Sequence, residues 1–247
     1  MIDWPYPKII AHRGAGLLAP ENTLAAVKLG MQHGHTMFEF DVKLSADDVP
    51  LLMHDSSLER TTNGSGLVRD YTWAQLAALD AGQWHSEAFT GEPIPRLDDL
   101  LVCLCEHGMM ANVEIKPSPG LELHTGRIIA MACRQRWADH QALALFSSFS
   151  ELALHAAAQA APHWPRALLM DRLFPDWLIR CRRLGCVAVD WNEKVVNPAL
   201  IAQAHEAGLK VVVYTVNDPE RAMQLLGWGV DAVITDAVDM LKPSDLI

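Results

Sequence analysis

Apolar and polar positions alternate with period two over Met37-Phe38-Glu39-Phe40-Asp41-Val42-Lys43-Leu44, the pattern of a β-strand. Similar short runs predict strands at 8–12, 37–43, 111–116, 142–147, 166–170, 186–190, 210–215 and 231–235. Between them lie helix-length segments at 97–107, 122–137, 150–160, 175–184, 198–207 and 219–227. A further helix follows Asn22 or Thr23, either of which suits an N-cap, and Gly34 stops it. Eight strand–helix repeats in 247 residues match the count and size of a (β/α)8 TIM barrel, with the whole of 1–247 as one domain. Residues from about 45 to 98 break the alternation and read as an insertion between the second and third barrel strands. Within it, Pro50–Asp55 is extended and a small helix is expected over Trp73–Leu79. A doubly wound open sheet competes, but no Gly-x-Gly-x-x-Gly turn follows any predicted strand.

Charge changes the picture at three strand ends. Glu39 and Asp41 share one face of their strand, about 7 Å apart along it. Two carboxylates so placed repel each other, and burying either unpaired is costly, so a positive charge is expected between them. Glu114, in Ala111-Asn112-Val113-Glu114-Ile115-Lys116, ends the neighbouring strand and can reach the same point. Three hard oxygen donors favour one divalent cation, Mg²⁺, Ca²⁺ or Mn²⁺ over Zn²⁺, without ranking the three; Mg²⁺ is the expectation, with Ca²⁺ and Mn²⁺ as alternatives. The competing explanation is a buried ion-pair network in which Lys116 and Arg13 neutralise the acids. His12 and His54 each end an extended apolar run and are candidates for general acid–base work, with Arg13 and Lys116 available to offset charge on a phosphate. Catalytic residues of such barrels sit at the carboxyl ends of strands, where all of these fall. Phe149 and Trp191, each just past a predicted strand, are candidates for a pocket wall or for plain core packing. Asp236, just past the last strand, is either a ligand or a cap.

Composition narrows the setting. A net charge of −10 argues against nucleic acid or an anionic membrane as partner. It leaves a small anionic substrate open, because a bound cation reverses the local field. Met1-Ile2-Asp3-Trp4-Pro5 lacks the apolar run of a signal peptide, and no stretch is apolar for long enough to span a bilayer. Five cysteines, 103, 105, 133, 181 and 186, fit reduced thiols better than a disulfide framework. A cytoplasmic protein is expected. Its oligomeric state is open; the Trp84–Phe89 loop is either a pocket lid or the contact of a homodimer.

The motifs His12-Arg13-Gly14, Pro20-Glu21-Asn22-Thr23, Glu39-Phe40-Asp41-Val42, His54-Asp55 and Glu114-Ile115-Lys116 together resemble the signature of the glycerophosphodiester phosphodiesterases. Ala81-Gly82-Gln83-Trp84 and Phe89 to Leu97 resemble that family's insertion, and Tyr214-Thr215-Val216-Asn217 with Ile234-Thr235-Asp236 its last two strands. The resemblance spans nearly the whole chain and is strongest with cytosolic enterobacterial members tied to glycerol-3-phosphate uptake. It implies a TIM barrel that binds a divalent cation through Glu39, Asp41 and Glu114. It implies His12 and His54 as the acid–base pair, and Arg13 and Lys116 as phosphate contacts. The implied reaction converts a glycerophosphodiester and water to sn-glycerol 3-phosphate and an alcohol, through a cyclic phosphate, with His12 as base and His54 as acid. Arg96 and Tyr214 depart from the family pattern, where threonine and tryptophan are common, and bear on rim contacts and alcohol preference. Two alternatives are a barrel acting on lysophospholipids or phosphoinositides and a non-catalytic barrel; the first would need a membrane-binding helix and the second would have lost a histidine or a carboxylate.

Overall fold

The computed structural model describes residues 4–137 and 143–246. Eight parallel strands close into a barrel: β1 (Ile9–Ala11), β2 (Met37–Leu44), β4 (Met110–Ile115), β5 (Ala144–Ser148), β6 (Arg166–Met170), β7 (Ala188–Asn192), β8 (Lys210–Tyr214) and β9 (Ala232–Thr235). The ring is shut by Ala11 of β1 pairing with Phe38 of β2. Helices α1 (Leu24–Gln32) and α3 (Leu97–Glu106) to α8 (Pro219–Gly227) alternate with the strands along the chain, as expected of a TIM barrel. Residue 142, the expected start of the fourth barrel strand, lies outside the described residues.

Alternation along each strand separates two layers. Phe38, Phe40, Val42, Val113, Phe146, Val189 and Val213 join the apolar layer between barrel and helices. The intervening residues face the barrel axis. Toward the amino ends these are apolar: Ile10, Met37, Leu145, Ala167, Val212 and Ala232, with Tyr6 among them. Tyr6 donates its phenol hydrogen to the Ala144 carbonyl at 2.8 Å. Toward the carboxyl ends the inward positions become polar, with Glu39, Asp41, Asn112, Glu114 and Asp190 all buried. The barrel is therefore plugged by hydrocarbon at one end and charged at the other.

Helix starts follow local chemistry. Thr23, rather than Asn22, caps α1, accepting from the Ala26 amide at 3.1 Å. Asn197 and Asp218 cap α7 (Pro198–Glu206) and α8, each ahead of a proline at the first helical position. The strand expected at 186–190 begins at Ala188 instead. Gly185 ends α6 (Trp177–Leu184) in the left-handed conformation, and the Cys186 amide bonds back to the Cys181 carbonyl at 2.9 Å.

The insertion has a purpose visible in its pairing. β1 is three residues long, so the far end of β2 has a free edge on that side. β3 (Pro50–Leu52) fills it, antiparallel, with Val42 opposite Leu52 and Leu44 opposite Pro50. The next amide, Met53, donates to the Asp41 carbonyl at 3.0 Å, which delivers His54 to the barrel mouth. The rest of the insertion folds over its own small core of Leu51, Met53, Leu58, Val68, Leu76 and Ile94. Its helix α2 is a single turn, Trp73–Leu76, shorter than expected from the sequence. Among the described residues no helix is long and apolar enough to cross a membrane.

Candidate active site

β2 carries Glu39 and Asp41 inward, and β4, its parallel neighbour, sets Glu114 in register with Asp41. One oxygen from each of the three carboxylates lies within 4.8 Å of the other two. Glu39 Oε1 is buried and meets no hydrogen-bond partner among the described residues. Burial, with Asp41 and Glu114 adding repulsion, raises the Glu39 carboxyl well above its ordinary range. Burial and Asp41 likewise push Glu114 up to about 7. Asp41 goes the other way: against burial, Lys116 and Arg13 hold it at about 2. Two carboxylates are thus short of positive charge, while the third is satisfied. A hard divalent cation fits this donor set, which is all oxygen, buried and convergent.

Two cations frame the cluster. The Lys116 ammonium lies 2.9 Å from Glu114 Oε1 and 3.3 Å from Asp41 Oδ1. The Arg13 amide donates to Glu39 Oε2 at 3.1 Å, its guanidinium donates to Glu21 at 2.8 Å, and its Nε lies 3.4 Å from Asp41. Arg13 adopts a left-handed backbone, φ 49°, as does Asn22, φ 59°. Both belong to the β1–α1 loop and both act on β2. The Asn22 side chain donates to Asp41 Oδ2 at 2.8 Å and accepts from the Asp41 amide at 3.0 Å. Asn22 therefore clamps Asp41, a role distinct from the helix cap expected of it.

Each histidine is oriented by a carboxylate. His12 Nδ1 donates to Asp236 Oδ1 at 2.6 Å, and His54 Nδ1 donates to Asp55 Oδ1 at 2.6 Å. A carboxylate only accepts, so the proton sits on Nδ1 and Nε2 remains for the pocket. His12 Nε2 lies 3.7 Å from Glu39. Against burial, His12 and Asn217 hold Asp236 below the ordinary carboxylate range, and Arg60 foremost does the same for Asp55. Burial lowers His54. The loop carrying His12 turns at Gly16, φ 54°, where a Cβ would stand 2.0 Å from the Asp236 carbonyl oxygen.

His12, Arg13, Glu39, His54, Glu114, Lys116 and Phe149 all line one cavity of about 200 Å³. Phe149 stands at its mouth, 45% exposed, edge-on to Tyr214 with ring centres 5.9 Å apart. Trp191 is not brought to the cavity. It is fully buried on the outward face of β7, packed against Trp177 of α6 with ring centres 4.9 Å apart. Sequence reasoning assigned no role to Arg60, Asn217 or Asp190, and left Asp236 between ligand and cap. Arg60 carried no signal beyond its charge; Asp190 and Asp236 could have been found from strand parity.

A barrel with convergent carboxylates, two carboxylate-held histidines and two flanking cations at the carboxyl ends of its strands defines a hydrolase built to handle a phosphate ester. The glycerophosphoryl diester phosphodiesterase family matches residues 12–240. A glycerophosphodiester phosphodiesterase of Caldanaerobacter subterraneus is 32% identical over 234 residues, covering 94% of this chain and 95% of its own. An Oleispira antarctica phosphodiesterase, solved in complex with the product sn-glycerol-3-phosphate, superposes with a TM-score of 0.91 at 36% identity, covering 95% of both chains. A glycerophosphodiester phosphodiesterase from Agrobacterium tumefaciens gives 0.80 at 29% identity, covering 95% of this chain and 98% of that one. The chain belongs to the glycerophosphoryl diester phosphodiesterase family and is a phosphoric diester hydrolase of that class.

Proposed function

We propose that the protein hydrolyses glycerophosphodiesters such as glycerophosphocholine and glycerophosphoethanolamine to sn-glycerol 3-phosphate and an alcohol, with a divalent cation at Glu39, Asp41 and Glu114. The observation that carries this is the convergence of the three carboxylate oxygens within 4.8 Å beside two histidines whose Nδ1 atoms are already engaged. A bound Mg²⁺, or Ca²⁺ or Mn²⁺ in its place, would draw charge from the non-bridging oxygens of the phosphate. Arg13 and Lys116 hold the phosphate between them and share that charge.

His12 Nε2 takes the proton of the glycerol 2-hydroxyl as its oxygen bonds to phosphorus. His54, protonated at Nε2, gives its proton to the departing alcohol oxygen as the old P–O bond breaks. In the second half the roles reverse. His54 accepts a proton from water attacking the cyclic phosphate, and His12 returns one to the 2-oxygen, yielding sn-glycerol 3-phosphate. Asp236 and Asp55 keep each ring in the tautomer both halves require. Phe149 forms part of the cavity wall. A cytoplasmic location belongs to the same proposal, supported by five free cysteines.

The test is release of glycerol 3-phosphate from both substrates, with EDTA and then with added Mg²⁺, Mn²⁺ or Ca²⁺, in wild type, His12→Ala and Glu114→Ala. Turnover that metal restores and both substitutions abolish is the expected result. A folded protein without turnover under any of the three metals overturns the reading.

A further inference from the structure

The cavity also holds polar groups that none of these steps uses. Asp190 on β7 is fully buried, and neither of its oxygens meets a hydrogen-bond partner among the described residues. Both atoms of the buried Asn112 carboxamide are in the same position, as is the Tyr214 hydroxyl. All three residues line the cavity that contains His12 and His54. Strand alternation explains why they face it: Val189 and Trp191 on one side, and Ala111 and Val113 on the other, point into the helix layer. Buried polar side chains are almost always paired, so a set of orphans aimed at one cavity marks something the cavity receives.

We infer that Asp190, Asn112 and Tyr214 form a polyol subsite that takes the free hydroxyls of the glycerol moiety. This rests on the hydrolytic function proposed above and goes beyond it by assigning what selects the glycerol side. The donor and acceptor inventory supports a polyol. The Asp190 carboxyl accepts, and donates as well when it carries its proton; Asn112 both donates and accepts, and the Tyr214 hydroxyl does either. A hydroxyl also donates and accepts, so the glycerol hydroxyls can pair with orphans of both kinds. An ethanolamine ammonium donates only and a choline trimethylammonium neither donates nor accepts, so either would leave the Asn112 amide hydrogens unmet. A second anion would face Asp190 and Glu114 directly. Leu169 and Ile234 line the same cavity and supply apolar contact for the carbon chain.

The experiment is direct binding by calorimetry, with Mg²⁺ present, of sn-glycerol 3-phosphate and of n-propyl phosphate, which has the same carbon chain without hydroxyls. Wild type is compared with Asp190→Ala, Asp190→Asn and Tyr214→Phe, each checked for a native melting transition. The expected result is sn-glycerol 3-phosphate weakened about tenfold in Asp190→Ala, the loss of the hydrogen bonds made to its carboxyl, with a smaller loss in Asp190→Asn, which keeps a polar group there. Binding of n-propyl phosphate should stay within about twofold, because it makes no contact that Asp190 could lose. Equal weakening of both ligands, or no change in either, overturns the subsite and leaves ordered water as the occupant. KM values that respond for glycerophosphocholine but not for glycerophosphoglycerol, whose leaving alcohol is uncharged, also overturn it, in favour of the alcohol headgroup. Binding is read without turnover, so a protein that discriminates the two ligands through Asp190 yet releases no glycerol 3-phosphate would refute the hydrolytic function and keep the subsite.

Discussion

Arg60 sits in the insertion and touches no group assigned to the chemistry, yet its removal should slow the enzyme. Its guanidinium donates to Asp55 at 2.6 and 3.0 Å and to Glu21 at 2.7 and 2.8 Å. Asp55 in turn orients His54, and Glu21 accepts from Arg13. One side chain thus ties the supports of His54, proposed as an acid–base group, and of Arg13, proposed to hold the phosphate, into a single strut. Arg60 is 43% exposed, so solvent screens these bonds and each paired carboxylate is worth about 1 kcal/mol rather than the value of a buried pair. Arg60→Met should therefore cost about 2 kcal/mol in urea unfolding, the sum of two such pairs. It should lower kcat about tenfold, which is about 1.4 kcal/mol of lost orientation at His54. The pH–rate profile gives the more specific readout. Asp55 without Arg60 presents an uncompensated charge to His54, so the limb belonging to His54 moves to higher pH. Arg60→Lys keeps the charge but not the fork and should recover only part of the loss. Steady-state kinetics across pH on glycerophosphocholine decides it. A folded Arg60→Met enzyme with kcat within about twofold of wild type and an unmoved profile would refute the strut, since both carboxylates would then hold their partners unaided.

Two further outcomes follow from neighbouring geometry. Burial and Glu114 raise the Asp190 carboxyl well above its ordinary range, so the folded state holds its proton to higher pH than the unfolded chain does. Stability from that proton is complete below the ordinary carboxylate range and is lost as pH rises toward the raised folded value. Asp190→Asn should consequently be more stable than wild type at neutral pH in metal-free buffer, with the gap closing as pH falls below about 4, near the unperturbed carboxyl value; a gap that does not change with pH would contradict it. Gly16→Ala should lose both stability and activity, because its Cβ would stand 2.0 Å from the Asp236 carbonyl at a φ of 54°. Melting temperature and kcat measured together test this, and a variant with native kcat would show that the His12–Asp236 pair tolerates a shifted loop.

The difference between Trp191 and Asp190 shows which kind of information was legible in the chain. Period-two patterning was enough to find eight strands, and the charged strand ends at Glu39, Asp41 and Glu114 pointed at one place because barrel geometry puts neighbouring strand ends together. The strand near 186 was harder, since the Gly185 cap holds Cys186 back and moves the strand two residues on, to Ala188–Asn192. Parity within a strand decides everything about a side chain's surroundings: Trp191 goes to the helix layer and Asp190 to the cavity. The partners of the histidines were hidden for a different reason. Asp55 adjoins His54 in the sequence, whereas Asp236 reaches His12 across 224 residues, through β9 pairing with β1. Asn22 could not be separated from Thr23 as a cap, because an N-cap and a side-chain clamp ask for the same small polar residue. Local periodicity thus located the groups that carry charge. The groups that orient them depend on register and closure, which are properties of the ring. The same division predicts where relatives of this chain should differ in substrate, at inward positions such as Asp190 whose partner is the ligand and not the fold.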